Sequence, residues 1–299
     1  MKIKTFGYRK GVSPLDSLDR AFESLGHQII TDEKGECDVI FDLTGFPDEA
    51  IEYSKTHPQA IKIFNLLNAD INNPNWGDGR NLKEQLLQAD IVTTPSESTR
   101  KDILNRVGIN STVIYFPIKK IWKTNILKNI DFLYVGRIFN NEKRFDLVVK
   151  TVFELGHPTG RLLVVGPENP NLNSIVGYYS GCVDDDKLNI VYNQSNILLC
   201  PCKHEGSLAM LEAVLADCIP IVSTDNEWVY EFNMLELSCN PDVESMIAKI
   251  NDVAQNYQKY LRKLDELKPL IRARFEIEHV AQRILNLYQM IHDSKSKSS

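Results

Sequence analysis

The sequence has no stretch of roughly 18 consecutive apolar residues, so nothing in it is predicted to cross a membrane as a helix. It has no basic excess either. Lys and Arg number 34 against 40 Asp and Glu, a formal net charge of −6, which argues against a dedicated nucleic-acid binder with its basic face and still allows one local basic pocket. It lacks regularly spaced cysteines. Cys37, Cys182, Cys200, Cys202, Cys218 and Cys239 sit mostly within apolar runs and read as reduced, buried thiols of a cytoplasmic protein. Cys200-Pro201-Cys202-Lys203-His204 has no second thiol pair to complete a four-ligand zinc site, so no metal is expected there. Met1–Gly7 has no apolar segment of the kind a secretory leader carries, and no short internal repeat is visible.

What remains is an ordinary globular composition. Of 299 residues 43% are apolar and 25% charged, enough apolar material for two cores in a chain of this length. Short apolar runs alternate with helical periods. Strands are predicted near Ile3–Phe6, His27–Thr31, Asp38–Leu43, Ile61–Leu67, Ile91–Thr94 and Val113–Phe116, with helices near Leu15–Leu25, Asp48–Thr56, Leu82–Gln88 and Glu97–Val107. The alternation restarts with strands at Phe132–Val135, Arg161–Val165, Asn196–Cys200 and Ile219–Ser223, and helices at Phe145–Leu155 and Leu208–Ala216. Strand–helix alternation implies parallel strands joined by crossovers. The predicted organisation is therefore α/β: a Rossmann-like domain over 1–118, a polar and basic linker over 119–129, and a second Rossmann-like domain over 130–268. A crossing helix over 269–293 and a disordered Ser/Lys tail over 294–299 complete it. Ligands of open α/β sheets sit at the carboxyl ends of strands, so two such domains are expected to face each other across a cleft.

Two segments carry chemistry. Gly136 and Arg137 leave the carboxyl end of one predicted strand, and Lys143 precedes the next helix. A guanidinium fork and an ammonium at one strand edge suit a diphosphate, although charged loops of this kind are also common on solvated surfaces. The second segment runs from His204 through Glu205, Gly206, Ser207 and Leu208 to Glu212. Glu205-Gly206 reads as a turn and Ser207 as a helix N-cap, and the helix start would offer free N–H groups and a positive dipole end to an anion. Glu212 shares a helical side with Leu208 and Leu215 and is predicted to point inward, where a ribose diol or a nearby lysine could partner it.

Three stretches resemble the retaining GT-B glycosyltransferases (glycosyltransferase family 4-like, group 1): LYVGRIFNNEKRFDLVVKTV over 133–152, ILLCPCKHEGSLAMLEAVLADCIPIVST over 197–224, and ADIVTTPSESTRKDILNRVGINSTVIYFPI over 89–118. GCVDDDKLNIVYNQSNI over 181–197 fits the stretch that precedes the donor motif. The resemblance implies a first domain on the acceptor side and a second that binds the donor. It implies that Arg137 and Lys143 bind the donor diphosphate, that Glu205 bonds the donor sugar, and that Gly206, Ser207 and Leu208 let backbone amides approach sugar and phosphate. Glu212 would hold the ribose and Val183 would lie near the base. Gly136 and His204 belong to the same motifs, and Gly11, in the first βα loop, would approach the phosphate.

The sequence departs from the pattern in three places. Six residues separate Glu205 from Glu212 where the family has seven. The region 63–73 has no histidine where the family often places one, leaving Asn65, Asn68 or Asp70 for that space. The first domain is short, which thins the part that recognises acceptors. The function so implied is hexosyl transfer, with retention and without metal or cofactor, from a nucleotide diphosphate sugar to a glycan, lipid-linked or small-molecule acceptor. The alternative is a catalytically inactive nucleotide-sugar-binding or partner subunit. No nucleic-acid partner is expected. Lys119, Lys120 and Lys123 admit a peripheral membrane contact, a solvated linker being the plainer reading.

Overall fold

In the computed structural model, which describes residues 1–6, 14–32, 34–43, 48–66, 82–138, 141–156, 162–167, 177–203 and 207–298, the chain divides into two units. Met1–Pro117 and Arg274–Ser299 form the first, and Ile118–Ala273 the second.

The first unit holds strands β1 (Lys2–Phe6), β2 (Gln28–Ile29), β3 (Val39–Asp42), β4 (Ile61–Asn65), β5 (Ile91–Thr94) and β6 (Thr112–Val113). All are parallel, in the order β2-β1-β3-β4-β5-β6. Helices α1 (Pro14–Ser24), α2 (Asp48–Thr56), α3 (Leu82–Leu86) and α4 (Glu97–Val107) connect them. The start and end of α4 follow from its sequence. Ser96 Oγ accepts from the Thr99 N–H at 3.0 Å, and Gly108 closes the helix at φ 75°, a conformation natural to glycine.

The second unit repeats the plan with β7 (Ile130–Val135), α5 (Phe145–Glu154), β8 (Leu162–Val165), β9 (Gly177–Tyr179), α6 (Asp185–Gln194), β10 (Ser195–Cys200), α7 (Leu208–Leu215), β11 (Ile219–Ser223), α8 (Glu227–Glu231), β12 (Ser238–Cys239), α9 (Val243–Gln255) and α10 (Tyr257–Phe275). Its sheet is parallel throughout and ordered β12-β11-β10-β7-β8-β9. Counted within the unit, that is the doubly wound order 3-2-1-4-5-6, whose switch point lies between β7 and β10. The strands are apolar on both faces, as a sheet covered by helices requires; Leu133, Leu198, Leu199 and Ile221 are all buried.

The last helix, α11 (Ile277–Ser298), belongs to the first unit. Its residues Val280, Ala281, Ile284 and Leu285 share one core with Ile3, Phe22, Phe41 and Ile63. Just before it, Phe275 packs on Tyr115 with ring centroids 4.7 Å apart.

Three parts of the chain differ from the sequence expectation. The crossing helix predicted over 269–293 is the end of α10, through Phe275, followed by α11 from Ile277. Residues 294–298 continue α11 instead of forming a disordered tail. Ser294 and Ser296 bond back to helix carbonyls and Lys295 pairs with Asp90 at 2.6 Å. Residues 119–129 are not a free linker. The Trp122 and Thr124 amides donate to the side-chain oxygens of Asn189 and Asn193 at 3.0 and 2.7 Å, Ile121 is buried, and Lys119 and Lys123 pair with Asp185 and Asp217. A polar composition suggested solvent, and the polar atoms are instead taken up by α6 and by Asp217 after α7. Among the described residues no helix is long and apolar enough to cross a membrane.

Candidate functional site

The site is built at the switch point of the second sheet. The chain leaves β7 through Gly136, at φ 149°, whose N–H still donates to Val165 O at 2.9 Å. Gly166, at the end of β8, lies so close that a Cβ there would stand 2.2 Å from the Gly136 carbonyl oxygen. Only glycine allows that approach. The Gly166 N–H in turn donates to Gly181 O at 3.3 Å, which ties the segment that leads to half-buried Val183 to the end of β8. The Arg137 carbonyl is held by the Tyr134 hydroxyl at 2.7 Å, and Arg137 itself is exposed.

A single 3-10 turn, Asn141–Lys143, follows. Its placement is fixed from two directions. The Lys203 N–H donates to Glu142 O at 2.9 Å, tying the turn to the segment after β10. Arg144, left-handed at φ 50°, donates to Asp225 Oδ1 and Oδ2 at 3.0 and 2.5 Å, to Ser223 Oγ at 3.1 Å and to Pro201 O at 3.2 Å. Burial disfavours the Asp225 anion, but Arg144 and the Ser223 hydroxyl outweigh it and hold the carboxyl below its ordinary range. Lys143, half-buried between these anchors, projects its charge onto the thiols of Cys200 and Cys202 at the end of β10. The structure therefore brings the turn that carries Lys143 to the segment that leads into α7.

At the start of α7 the sequence expectation needs correction. Ser207 precedes the helix but does not cap it. At φ −85° and ψ 77° its side chain makes no capping bond, and its Oγ lies 3.1 Å from Cys200 Sγ. Met210 N–H donates to the Ser207 carbonyl at 3.1 Å, while the Leu208 and Ala209 N–H groups, which have no intrahelical partners, gain none from the Ser207 side chain. An uncapped helix start with its positive dipole end is suited to an anion. Leu208 is half-buried beside it.

Glu212 points inward and is buried. Its Oε2 accepts from the Tyr192 hydroxyl at 2.9 Å and its Oε1 from the Lys119 N–H at 3.2 Å. Burial pushes its pKa up, against the pull of those two donors. A carboxylate oxygen can accept more than one bond, so the pair of contacts leaves acceptor capacity on each oxygen. Gly11, His204, Glu205 and Gly206 lie outside the described residues, as do Asn68 and Asp70. Asn65 is described. It ends β4, is 2% exposed, and neither of its amide atoms has a hydrogen-bond partner. Among the described residues no cluster of His, Cys, Asp or Glu could hold a metal ion.

Sequence reasoning singled out Arg137 and Lys143 but missed what positions them. Gly166 against Gly136, Arg144 with Asp225 and Tyr192 with Glu212 join residues 20 to 81 positions apart, and no local pattern marks them. Only Arg144, adjacent to Lys143 in a segment already identified, carried a usable signal.

Residues 129–256 match the family described as Glycosyl transferases group 1. A search by sequence among curated proteins finds no match. By structure the chain is similar to sucrose-phosphate synthase of Thermosynechococcus elongatus, at 13% identity and TM-score 0.69, over 98% of this chain and 100% of that one. It is also similar to HepE of Anabaena, solved in complex with UDP-glucose, at 12% identity and TM-score 0.70 over 97% and 100% of the two chains. A trehalose-6-phosphate protein of E. coli, solved bound with UDP-2-fluoro glucose, matches at 12% identity and TM-score 0.70 over 96% and 99% of the two chains. Two parallel six-stranded sheets, the second in doubly wound order, are thus the GT-B fold, and its second unit carries the stretch that matches the group 1 glycosyl transferases.

Proposed function

We propose that the chain transfers a hexosyl group from a nucleotide diphosphate sugar to an acceptor hydroxyl, with retention at the anomeric carbon. The observation that supports this most is the meeting of two anion-attracting features at one switch point: the Lys143 turn, bonded through Glu142 to Lys203, and the uncapped start of α7. The bound UDP-sugars of HepE and the E. coli neighbour support the same reading by analogy of fold.

Breaking the anomeric C–O bond places negative charge on the departing diphosphate. Groups fixed before the reaction that attract this charge lower the barrier. In this reading exposed Arg137 forks to phosphate oxygens, Lys143 supplies a point charge, and the first N–H groups of α7 complete the binding of the leaving group without a metal. Glu205 bonds the donor sugar, and Gly206, Ser207 and Leu208 bring backbone close to it. Glu212 accepts from the ribose hydroxyls, with Tyr192 and the Lys119 amide holding its carboxylate in place. Val183 borders the base. The acceptor, a glycan, lipid-linked or small molecule, is bound by the first unit.

Titration of the purified chain with UDP, GDP and their hexose conjugates, paired with an assay for nucleotide diphosphate release, tests the proposal. The expected result is micromolar affinity for one nucleotide class and slow donor hydrolysis that an acceptor accelerates. Affinity with no release under any acceptor would replace the transferase by a nucleotide-sugar-binding subunit. No affinity for any nucleotide would remove both.

A further inference from the structure

Cys200 and Cys202 stand two residues apart at the carboxyl end of β10, both buried, with their sulfurs 3.5 Å from each other. Neither is used in the chemistry above. A disulfide needs about 2.05 Å between sulfurs, so rotation about the Cα–Cβ bonds has roughly 1.5 Å to close. The Ser207 hydroxyl lies 3.1 Å from Cys200 Sγ. We propose that Cys200 and Cys202 are a redox-active dithiol, oxidised to an intrachain disulfide by a hydroperoxide.

The surroundings assign the two roles. A hydrogen bond from Cys200, then the charges of Lys143 and Arg144, draw the Cys202 thiol below its ordinary value despite burial. The bond to Cys202, and then burial, push Cys200 up. Cys202 is thus the thiolate that attacks. Its sulfur takes one oxygen of the hydroperoxide as the O–O bond breaks, the leaving alkoxide or hydroxide takes up a proton, and a sulfenic acid forms. Cys200 sulfur then attacks that sulfur, the S–O bond breaks, and hydroxide leaves with the Cys200 proton as water. Two thiols lose two electrons and two protons in all, and the peroxide is reduced.

The consequence for the donor rests on the proposed function. Forming the disulfide removes both thiols that the Ser207 hydroxyl bonds, Cys200 and Cys202. The freed Ser207 hydroxyl can then cap α7 and take the N–H groups that the donor phosphate would use. Nucleotide binding and disulfide formation are therefore expected to oppose each other.

The test reads the thiols directly. Both cysteines fall in one tryptic peptide, Leu188–Lys203, which contains no other cysteine. After mild hydrogen peroxide treatment of the native chain and quenching, this peptide is expected to lose two hydrogens in mass. It should also resist alkylation until reduced, while exposed Cys182 reacts independently. The variant C200S should stop at a sulfenic acid at Cys202, trapped by dimedone. Full alkylation of both cysteines after peroxide, or separate sulfinic acids on each, would overturn the dithiol. A second arm adds the nucleotide diphosphate that binds best. Slower disulfide formation supports the link to the donor site. An unchanged rate overturns that link, and the dithiol is then judged on the mass alone. A chain that binds no nucleotide yet forms the disulfide separates failure of the functional reading from failure of this one.

Discussion

The guanidinium of Arg144 holds the carboxylate of Asp225 through both of its terminal nitrogens, at 3.0 and 2.5 Å. This contact fastens the turn after β7 to the end of β11, and Lys143 takes its position from it. Both side chains are partly exposed, at 21% and 37%, so the pair is a positioning device first and a source of stability second. The substitution R144M should cost about 1 kcal/mol of stability by urea unfolding. Nucleotide affinity should fall with it, although Arg144 is not assigned a contact to the ligand. Because the Asp225 carboxyl is held below its ordinary 3.8, the pair's contribution is present above that pH. It is lost as the pH falls through the lower folded value. An acid titration of wild type against R144M should show the two stability curves converging only on that acid side.

Lys143 is half-buried at the end of a 3-10 turn and is assigned to the donor diphosphate. The variant K143A should lower nucleotide affinity by about 10- to 100-fold, the loss of one charge-assisted contact. Urea stability should stay within about 0.5 kcal/mol of wild type. Unchanged affinity, measured by calorimetry, would remove Lys143 from the donor site.

Glu212 reports on burial through pH. Its folded pKa lies above the ordinary 4.5, so the folded chain binds this proton more tightly than the unfolded one. The associated stability is complete below pH 4.5 and declines as pH rises through the folded value. E212Q should remove that portion of the pH dependence and weaken nucleotide binding, since the amide keeps only one accepting oxygen. Identical pH profiles for the two proteins would mean that Glu212 is ionised at no cost in the fold.

Gly166 and Asn65 make opposite stability predictions. In G166A the added Cβ meets backbone at 2.2 Å, and backbone gives way poorly, so a loss of about 2–3 kcal/mol is expected. In N65L two buried amide atoms without partners are replaced by apolar ones, so stability should rise by about 1–2 kcal/mol. A fall in stability of N65L would show that the amide is satisfied in solution.

Much of this was readable from residue order. Apolar runs such as DVIFDL and ILLC become β3 and β10, Ser96-Glu97 opens α4 with Ser96 as its cap, and Ile271, Phe275, Val280 and Ile284, spaced as a helical apolar stripe, are buried. Short edge strands were missed. Gly177–Tyr179 and Ser238–Cys239 are two or three residues long and too short to carry a period. The helical period over Val243–Tyr260 reads as one helix, yet it breaks at Asn256 into α9 and α10, a change no proline or glycine announces. Ser207 failed as a cap for a tertiary reason: its hydroxyl meets Cys200, seven residues earlier, in preference to its own helix. Chemistry-bearing residue types are legible locally, whereas the partners that aim them depend on which strands become neighbours.

The first unit is discontinuous, taking its final helix from the carboxyl end of the chain. During synthesis its opening strands emerge long before Val280, Ala281, Ile284 and Leu285, which share their core. The middle of the chain can therefore mature first, while the amino-terminal sheet waits with an apolar face uncovered. A chain ending at Ala273 and released from the ribosome should show a protease-resistant second unit and an amino-terminal portion that chaperones bind.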